Sequence, residues 1–218
     1  MPESASFSVR RPNYRRRRTF TVLGLLAVVA LAAVLLTRGG DGGPGDRPIP
    51  TLQFVPTAKH VFQGKAAAPA VQQGEVQAIT TMFNDFYQEA FVDPEKWGDG
   101  TFEGLAGLFA DDAKASFTRD LASLTIGAAR TELERVDLGT GNTLAVTVYY
   151  DSKQKPTFAV TAVAFDGRGT LKESGPAVTI KQRATYYLQK MGSDWKITAF
   201  DANETQTTPT PTPTASAT

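Results

Sequence analysis

Four side chains in this 218-residue chain are candidates for acid–base chemistry. Tyr87 and Tyr186 are phenols that could donate a hydrogen bond to a developing oxyanion, and Asp85 and Asp112 are carboxylates that could act as a general base. Such a set would suit proton abstraction next to a carbonyl group. That reaction needs a base in a dry pocket with a donor close by, so the positions of these residues decide whether it is available.

The sequence pattern places neither aspartate in such a pocket. Asp85 lies off the apolar stripe of the first predicted helix, and Asp112 stands where a helix cap is expected. Aromatic residues at helical or strand spacing pack in cores far more often than they do chemistry. We therefore predict a protein that is not an enzyme and has no catalytic residue, and we keep Tyr87, Phe117 and Tyr186 as candidates for lining a binding pocket.

Composition removes other kinds of site. The chain has no cysteine, and its one histidine, His60, is predicted to be a solvated linker residue, so thiol catalysis and a histidine-rich metal site are excluded. We predict no metal and no cofactor. Residues 71–204 carry thirteen Lys or Arg against nineteen Asp or Glu, a balance of −6. Nucleic acid is rejected as a partner, because its recognition needs a clustered basic face.

The N-terminal part is typical of a membrane anchor. Residues 19–37 form an uncharged run of nineteen residues, about 28 Å long as a helix, which nearly matches the bilayer hydrocarbon. The alternative is a cleaved signal peptide, whose apolar core is normally about 7–15 residues and ends in a cleavage site of small residues. We predict an uncleaved transmembrane helix. Six arginines precede it and Arg38 and Arg47 follow it, so residues 1–18 are expected in the cytoplasm and the domain outside the cell membrane.

Three further segments follow the anchor. Residues 38–70 are predicted to be a Gly/Pro-rich linker. Its apolar stretch TLQFVPTAKHVFQ, residues 51–63, either packs on the domain or adds a strand to the domain or to a partner's sheet edge. Residues 71–204 are predicted to form the folded domain, and the Thr/Pro-rich residues 205–218 a disordered tail.

Within the domain, the spacing of apolar residues changes after Gly127 from the helical period to the two-residue period of strands. A helix is predicted over residues 74–92, a short second helix over 102–109, and a third that is capped by Asp111-Asp112 and ends before Gly127. About five strands then alternate in polarity, and the last two form a hairpin around residues 191–194. Helices on one face of an antiparallel sheet make an α+β architecture.

The long first helix, the stretch GLFADDAKASF (107–117) and the closing ATYYLQKMGSDWKITAFDA (184–202) resemble the nuclear-transport-factor-2-like, or SnoaL-like, superfamily over about 130 residues. The resemblance implies a cone-shaped fold whose curved antiparallel sheet wraps the first helix. With the anchor, the chain is similar to bitopic membrane proteins of actinobacteria that carry one such domain outside, including proteins associated with Mce lipid-import systems. An assembly factor of type IV secretion systems is similar in layout.

The superfamily also contains ketosteroid isomerase and dehydratases, so the resemblance implies an enzyme as one alternative. The predicted function is that of a membrane-anchored extracytoplasmic accessory or assembly protein, in contact with the bilayer, that binds another envelope membrane protein. The alternatives are a module whose cone mouth holds a small apolar ligand or lipid, and an isomerase- or dehydratase-type enzyme.

Overall fold

A computed structural model describes residues 47–173 and 177–207. The predicted cytoplasmic tail, the anchor over residues 19–37 and most of the predicted Thr/Pro tail lie outside these residues. In the part of the chain that the structure describes, no helix has both the length and the hydropathy needed to cross a membrane.

Helices precede most of the strands along the chain. The helices are α1 (Pro69–Tyr87), a π-helical turn (Gln88–Val92), α2 (Pro94–Trp97), α3 (Glu103–Ala106), α4 (Asp111–Arg119), α5 (Leu121–Leu124) and a 3-10 helix (Gly127–Thr131). The strands are β1 (Pro56–Phe62), β2 (Leu133–Leu138), β3 (Thr143–Tyr150), β4 (Pro156–Leu171), β5 (Val178–Met191) and β6 (Asp194–Thr207).

The six strands form one sheet in the order β1-β3-β4-β5-β6, with β2 paired to the second half of β4. Strands β3 to β6 pair antiparallel, but β1 runs parallel to β3 with Pro56 opposite Leu144. The α+β class is therefore confirmed, whereas the expected purely antiparallel sheet of about five strands is wrong because of β1. Helix α1 packs against this sheet, which is the arrangement of first helix and sheet that the superfamily resemblance implies.

The apolar stripe of α1 fills the space against the sheet. Val76, Ile79, Phe83 and Phe86 recur at helical spacing, and all four are buried. The helix begins at Pro69, a residue favoured in a first turn, and its continuation as a π-helical turn ends before Asp93. The predicted helix over 74–92 is thus confirmed, with an earlier start.

Strands β3, β4 and β5 present alternate side chains to the helices and to the opposite side of the sheet, and we name these two surfaces of the sheet the inner face and the outer face. On β5 the inner face is as predicted, because Val178, Ile180, Ala184, Tyr186 and Leu188 are all buried.

On β6, Trp195 and Ile197 also point inward, as expected, but Ala199 is exposed. The register shifts there, since Leu188 pairs with Ile197 and Tyr187 with Ala199, and the extra residue turns Ala199 to the outer face.

The segment predicted as a linker contributes to the core. Leu52 and Phe54 are buried, and their backbone N–H groups donate to the side-chain oxygens of Gln88 and Asn84 on the first helical segment, each at 2.8 Å. Both bonds satisfy polar groups that would otherwise be costly at the core boundary. These contacts correct the predicted domain start at residue 71. At the other end, β6 continues to Thr207, three residues into the predicted tail.

Removing the Phe54 side chain tests this corrected boundary. Phe54 is 4% exposed and its ring packs edge-on against Tyr87 at 5.5 Å. Phe54→Ala should therefore lower the free energy of unfolding by about 3–5 kcal/mol, measured by urea titration. Val55→Ala is the matched control, because Val55 is 71% exposed, and should stay within about 0.5 kcal/mol of the wild type. Equal stability of the two variants would place the segment outside the folded domain.

Candidate functional site

Two of the three predicted pocket residues meet in the core. The hydroxyl oxygens of Tyr87 and Tyr186 are 3.1 Å apart, and the Tyr87 hydroxyl donates to Oε1 of Gln182. Because the single Tyr87 proton goes to Gln182, the Tyr186 hydroxyl is the donor between the two phenols. The Gln182 amide donates in turn to the backbone oxygen of Ser123 at 3.1 Å. We name Tyr186, Tyr87 and Gln182 the buried polar line.

Burial keeps both phenols neutral. It raises the pKa of Tyr186 to about 12 and that of Tyr87 well above its usual value, and in Tyr87 the neighbouring Tyr186 adds to the increase. At neutral pH these groups are therefore hydrogen-bond donors and not acids. Such donors can hold a polar group in place, but they cannot remove a proton.

Aromatic rings close around the buried polar line. Tyr87 stacks on Phe91 with ring centroids 5.4 Å apart, and Tyr186 lies 4.9 Å from Phe83. Phe117, the third candidate, instead packs against Phe109 at 4.5 Å. The structure therefore brings Tyr87 and Tyr186 together but places Phe117 in a different part of the core.

Neither candidate base approaches these phenols from the interior, because Asp85 and Asp112 are both exposed. Asp112 lies in the first turn of α4 and lines a small groove of about 140 Å³ between α4 and β6. The predicted cap is corrected here, since the residue at the N-cap position is Ala110. Asp111 and Asp112 lie in the first turn instead, where their negative charges interact favourably with the positive end of the helix dipole.

His60 is not a linker residue, which corrects the prediction. It lies in β1 next to Tyr150, with Nδ1 3.4 Å from the tyrosine oxygen, and its ring stacks with Phe62. Partial burial lowers the pKa of His60, so the imidazole is neutral at physiological pH. Among residues 47–173 and 177–207, no cluster of three His, Asp or Glu side chains is arranged to hold a metal ion.

Glu204 is an acidic residue on the inner face that the sequence pattern did not indicate. It is the cross-strand neighbour of Gln182, and its Oε1 accepts from the side-chain amide of Gln206 at 2.5 Å. Its Oε2 is buried and has no hydrogen-bond partner within the described residues. Burial raises the pKa of Glu204 to about 7, although the bond from Gln206 acts in the opposite direction. Alternation alone would not have revealed it, because continuing the pattern of Trp195, Ile197 and Ala199 places residue 204 on the outer face, and only the register shift between β5 and β6 turns it inward.

The outer face of the sheet carries an exposed aromatic row. Tyr149, Phe158 and Tyr187 lie on adjacent strands with successive ring centroids 5.7 and 6.4 Å apart. The two tyrosines are 37% and 39% exposed. This row was not predicted from the sequence, because the alternation of polarity distinguishes the two faces of a strand but does not show which aromatic side chains on neighbouring strands lie side by side.

A shallow groove of about 540 Å³ lies on the same outer face. Small side chains form much of its lining, namely Thr143, Ala145, Ala162, Ala164 and Thr185. Arg183 and Asp201 add a charge of each sign, and Arg183 also forms an ion pair with Asp166 at 2.9 Å. The groove could receive protruding side chains from a partner.

Replacing Tyr87 tests the buried polar line. Tyr87→Phe removes the hydroxyl that donates to Gln182 and leaves the glutamine oxygen unpaired in the core. We expect the free energy of unfolding to fall by about 1–3 kcal/mol, measured by urea titration. Tyr149→Phe, on the outer face, is the control and should change it by less than about 0.5 kcal/mol. Unchanged stability of Tyr87→Phe would show that Gln182 does not depend on this donor.

No protein-family model matches this sequence, and a search of the curated proteins finds no match. The fold is similar to the solved structure of a protein from Novosphingobium aromaticivorans DSM 12444 that carries the name "Putative Scytalone Dehydratase". The two sequences are 14% identical, the TM-score is 0.44, and the match covers 66% of this chain and 93% of the other. Similarity of this degree does not carry an activity over.

Proposed function

We propose that this chain is a membrane-anchored, non-catalytic accessory protein that binds another protein of the cell envelope through the outer face of its sheet. The observation that carries this proposal is the exposed row of Tyr149, Phe158 and Tyr187 beside a groove of small side chains. Exposed, contiguous aromatic surface is a typical mark of a protein-binding site. Aromatic side chains also supply a large share of binding energy in protein interfaces.

The interior supports the same function. A proton-abstracting enzyme needs its base close to its donor, and the aspartates considered for that role, Asp85 and Asp112, are on the surface. The phenols of Tyr87 and Tyr186 already have hydrogen-bond partners in the core. Neither groove described above includes them in its lining.

Glu204 favours a second candidate function, a small-ligand site or an isomerase- or dehydratase-type enzyme. A carboxyl group whose pKa is raised to about 7 is matched to proton transfer at neutral pH. It also lies across from Gln182, which holds Tyr87. In this alternative Glu204 would move the proton and the phenols would position the ligand.

The location of the protein is part of the proposal. The uncharged run over residues 19–37 and the six arginines before it support an anchor with the domain outside the cell membrane. The layout of anchor and domain resembles bitopic actinobacterial proteins such as those associated with Mce systems. Anchoring would raise the effective concentration of the domain near a membrane partner without any new contact.

An outer-face substitution tests the binding surface. Ala162 is exposed and lines the groove, so Ala162→Arg should block docking while leaving the inner face unchanged. We expect recovery of the partner from mildly solubilised membranes to fall by about tenfold or more, since a change in a binding surface can cost 1.4 kcal/mol or more. Thr81→Arg, at an exposed position of α1, is the matched control and should bind normally.

Two results would contradict the proposed surface. Ala162→Arg could retain the partner fully, which would remove the outer face as the docking site. Alternatively, loss of cellular function in folded Tyr87→Phe or Glu204→Gln, with Ala162→Arg silent, would favour the ligand or enzyme candidate.

Releasing the domain tests the anchor. A version in which a cleavable signal peptide replaces residues 1–38 should lose most of its function in a cell-envelope assay, because the effective concentration at the membrane falls. An unrelated uncleaved anchor in the same position should restore it. A reporter that works only in the cytoplasm, fused after Thr218, should give no signal. Full function of the released domain, or a cytoplasmic signal, would contradict the proposal.

A further inference from the structure

The chain just before β1 lies against the first helix in the way that an extended peptide lies in a binding groove. Residues 50–54 belong to no helix or strand, and we name them the N-terminal segment. Leu52 and Phe54 are buried, whereas the residues on either side of them are exposed. We name the surface that holds this segment the helix groove, which is formed by Asn84, Tyr87 and Gln88.

Two side-chain amides of the helix groove bind the backbone of the segment. The Leu52 N–H donates to Gln88 Oε1 and the Phe54 N–H donates to Asn84 Oδ1, each at 2.8 Å. The Gln88 amide also donates to the carbonyl oxygen of Pro50 at 3.1 Å. A backbone N–H or carbonyl group is the same for nearly every residue type, so these three bonds recognise an extended chain and not a particular sequence.

The spacing of the two amides matches the spacing of alternate residues in an extended chain. Residues four apart on a helix are separated by about 6 Å along its axis, and residues two apart in an extended chain by about 6.6 Å. Gln88 and Asn84 therefore meet successive inward-facing residues of the segment, which runs antiparallel to the helix. The next alternate residue is Pro56, which has no N–H to donate and begins β1.

The winding of the helix changes at the residue that makes two of these three bonds. The π-helical turn begins at Gln88, and the Asp93 N–H donates to Gln88 O at 2.9 Å. Turns of this kind are rare and are found frequently at functional sites. Its position is a second indication, independent of the hydrogen bonds, that this end of the helix is built for binding.

We propose that the helix groove is a peptide-binding site that accepts an extended segment of another protein, with large apolar side chains two residues apart, in place of the N-terminal segment. The chain's own segment is then an intramolecular competitor that covers the site. Main-chain hydrogen bonds supply affinity and pockets for alternate side chains supply specificity, as in other modes of extended-peptide recognition. The site is separate from the outer face, so it does not rest on the function proposed above.

The N-terminal segment can leave the groove without disturbing the sheet. It lies outside the strands, and the residue that follows it, Val55, is 71% exposed. In contrast, all seven residues of β1 pair with β3. Because Val55 alone separates the segment from β1, a second copy could supply its segment only by losing that pairing or by bringing its own sheet against the same helix. A separate protein has no such constraint, which favours it as the source.

The intramolecular segment determines how the site must be tested. A ligand joined by a short flexible link acts at an effective concentration of about millimolar, so a free peptide competes poorly with it in the wild type. Leu52→Ser/Phe54→Ser in the full-length chain removes both apolar side chains and leaves the groove to a peptide in solution. We name this double substitution the emptied variant.

A synthetic peptide with the sequence of residues 48–56, PIPTLQFVP, tests the site on the emptied variant in mild detergent. Its addition should raise the folding equilibrium constant, measured by urea titration, by about tenfold at ten times the Kd and in proportion to concentration above that. The same peptide carrying Leu52→Ser and Phe54→Ser should have no effect. An equilibrium constant that does not respond to PIPTLQFVP would overturn the proposal.

Further substitutions in the emptied variant locate the bound peptide. Gln88→Met removes the amide that binds Pro50 and Leu52, so the Kd of the peptide should rise by about tenfold or more. Gln77→Met, at an exposed position of the same helix, is the matched control and should not change the Kd. Ala162→Arg should also bind the peptide normally, so failure of the outer-face surface and failure of this site are distinguishable. Equal affinities of Gln88→Met and Gln77→Met would overturn the assignment to the helix groove.

Mixing the full-length wild type with the emptied variant tests the source of the segment. Wild-type chains should not stabilise the emptied variant. Stabilisation equal to that given by the peptide would show that a second copy supplies the segment, and would overturn the assignment to another protein.

A cross-linking measurement on the wild type decides the matter if the emptied variant does not fold. The peptide then carries a photo-reactive group at its phenylalanine position and is added at several times the effective concentration of the linked segment. Labelling around Asn84 that excess unlabelled peptide suppresses would support the site. Labelling confined to other parts of the chain, or none, would overturn it.

Discussion

The packing of the aromatic face of α1 against the inner face of the sheet is the contact on which the other features depend. Phe83 and Phe86 bring the helix to Tyr186 on β5, with ring centroids 4.9 and 5.9 Å apart. The same packing buries the Tyr87 hydroxyl, which then needs a partner inside the core. Gln182 supplies that partner and, with its other end, fastens the segment around Ser123. One apolar contact thus dictates a polar network and the position of a loop.

The sequence predicted the parts of this arrangement that are local. Helical periodicity located α1, and two-residue alternation placed Ile180, Tyr186 and Leu188 on the buried face of β5, because both signals come from neighbouring residues. It also selected Tyr87 and Tyr186 as candidates from their chemistry alone. Their meeting at 3.1 Å depends on how the helix crosses the sheet, which local pattern does not encode.

The features that were missed or left open depend on pairing between distant segments. A strand within residues 51–63 was one of the alternatives left open, and it forms because Pro56 pairs with Leu144, far along the chain. Ala199 was assigned to the wrong face because a register shift in the β5–β6 pair cannot be read from β6 alone. Glu204 was missed for a related reason, since its place on the inner face follows from the register shift and from β6 continuing beyond Phe200.

Strand β5 connects the buried polar line with the proposed docking surface. Gln182 and Tyr186 point inward to the buried polar line, while Arg183 and Tyr187, their neighbours in sequence, point outward to the groove and the aromatic row. Successive residues of a strand share one backbone, so a partner docked on the outer face would restrain the same backbone that positions the inner glutamine. Docking on the outer face would need no opening of the core, whereas the phenols inside the core already have hydrogen-bond partners. That difference is the physical reason to propose binding on the outer face.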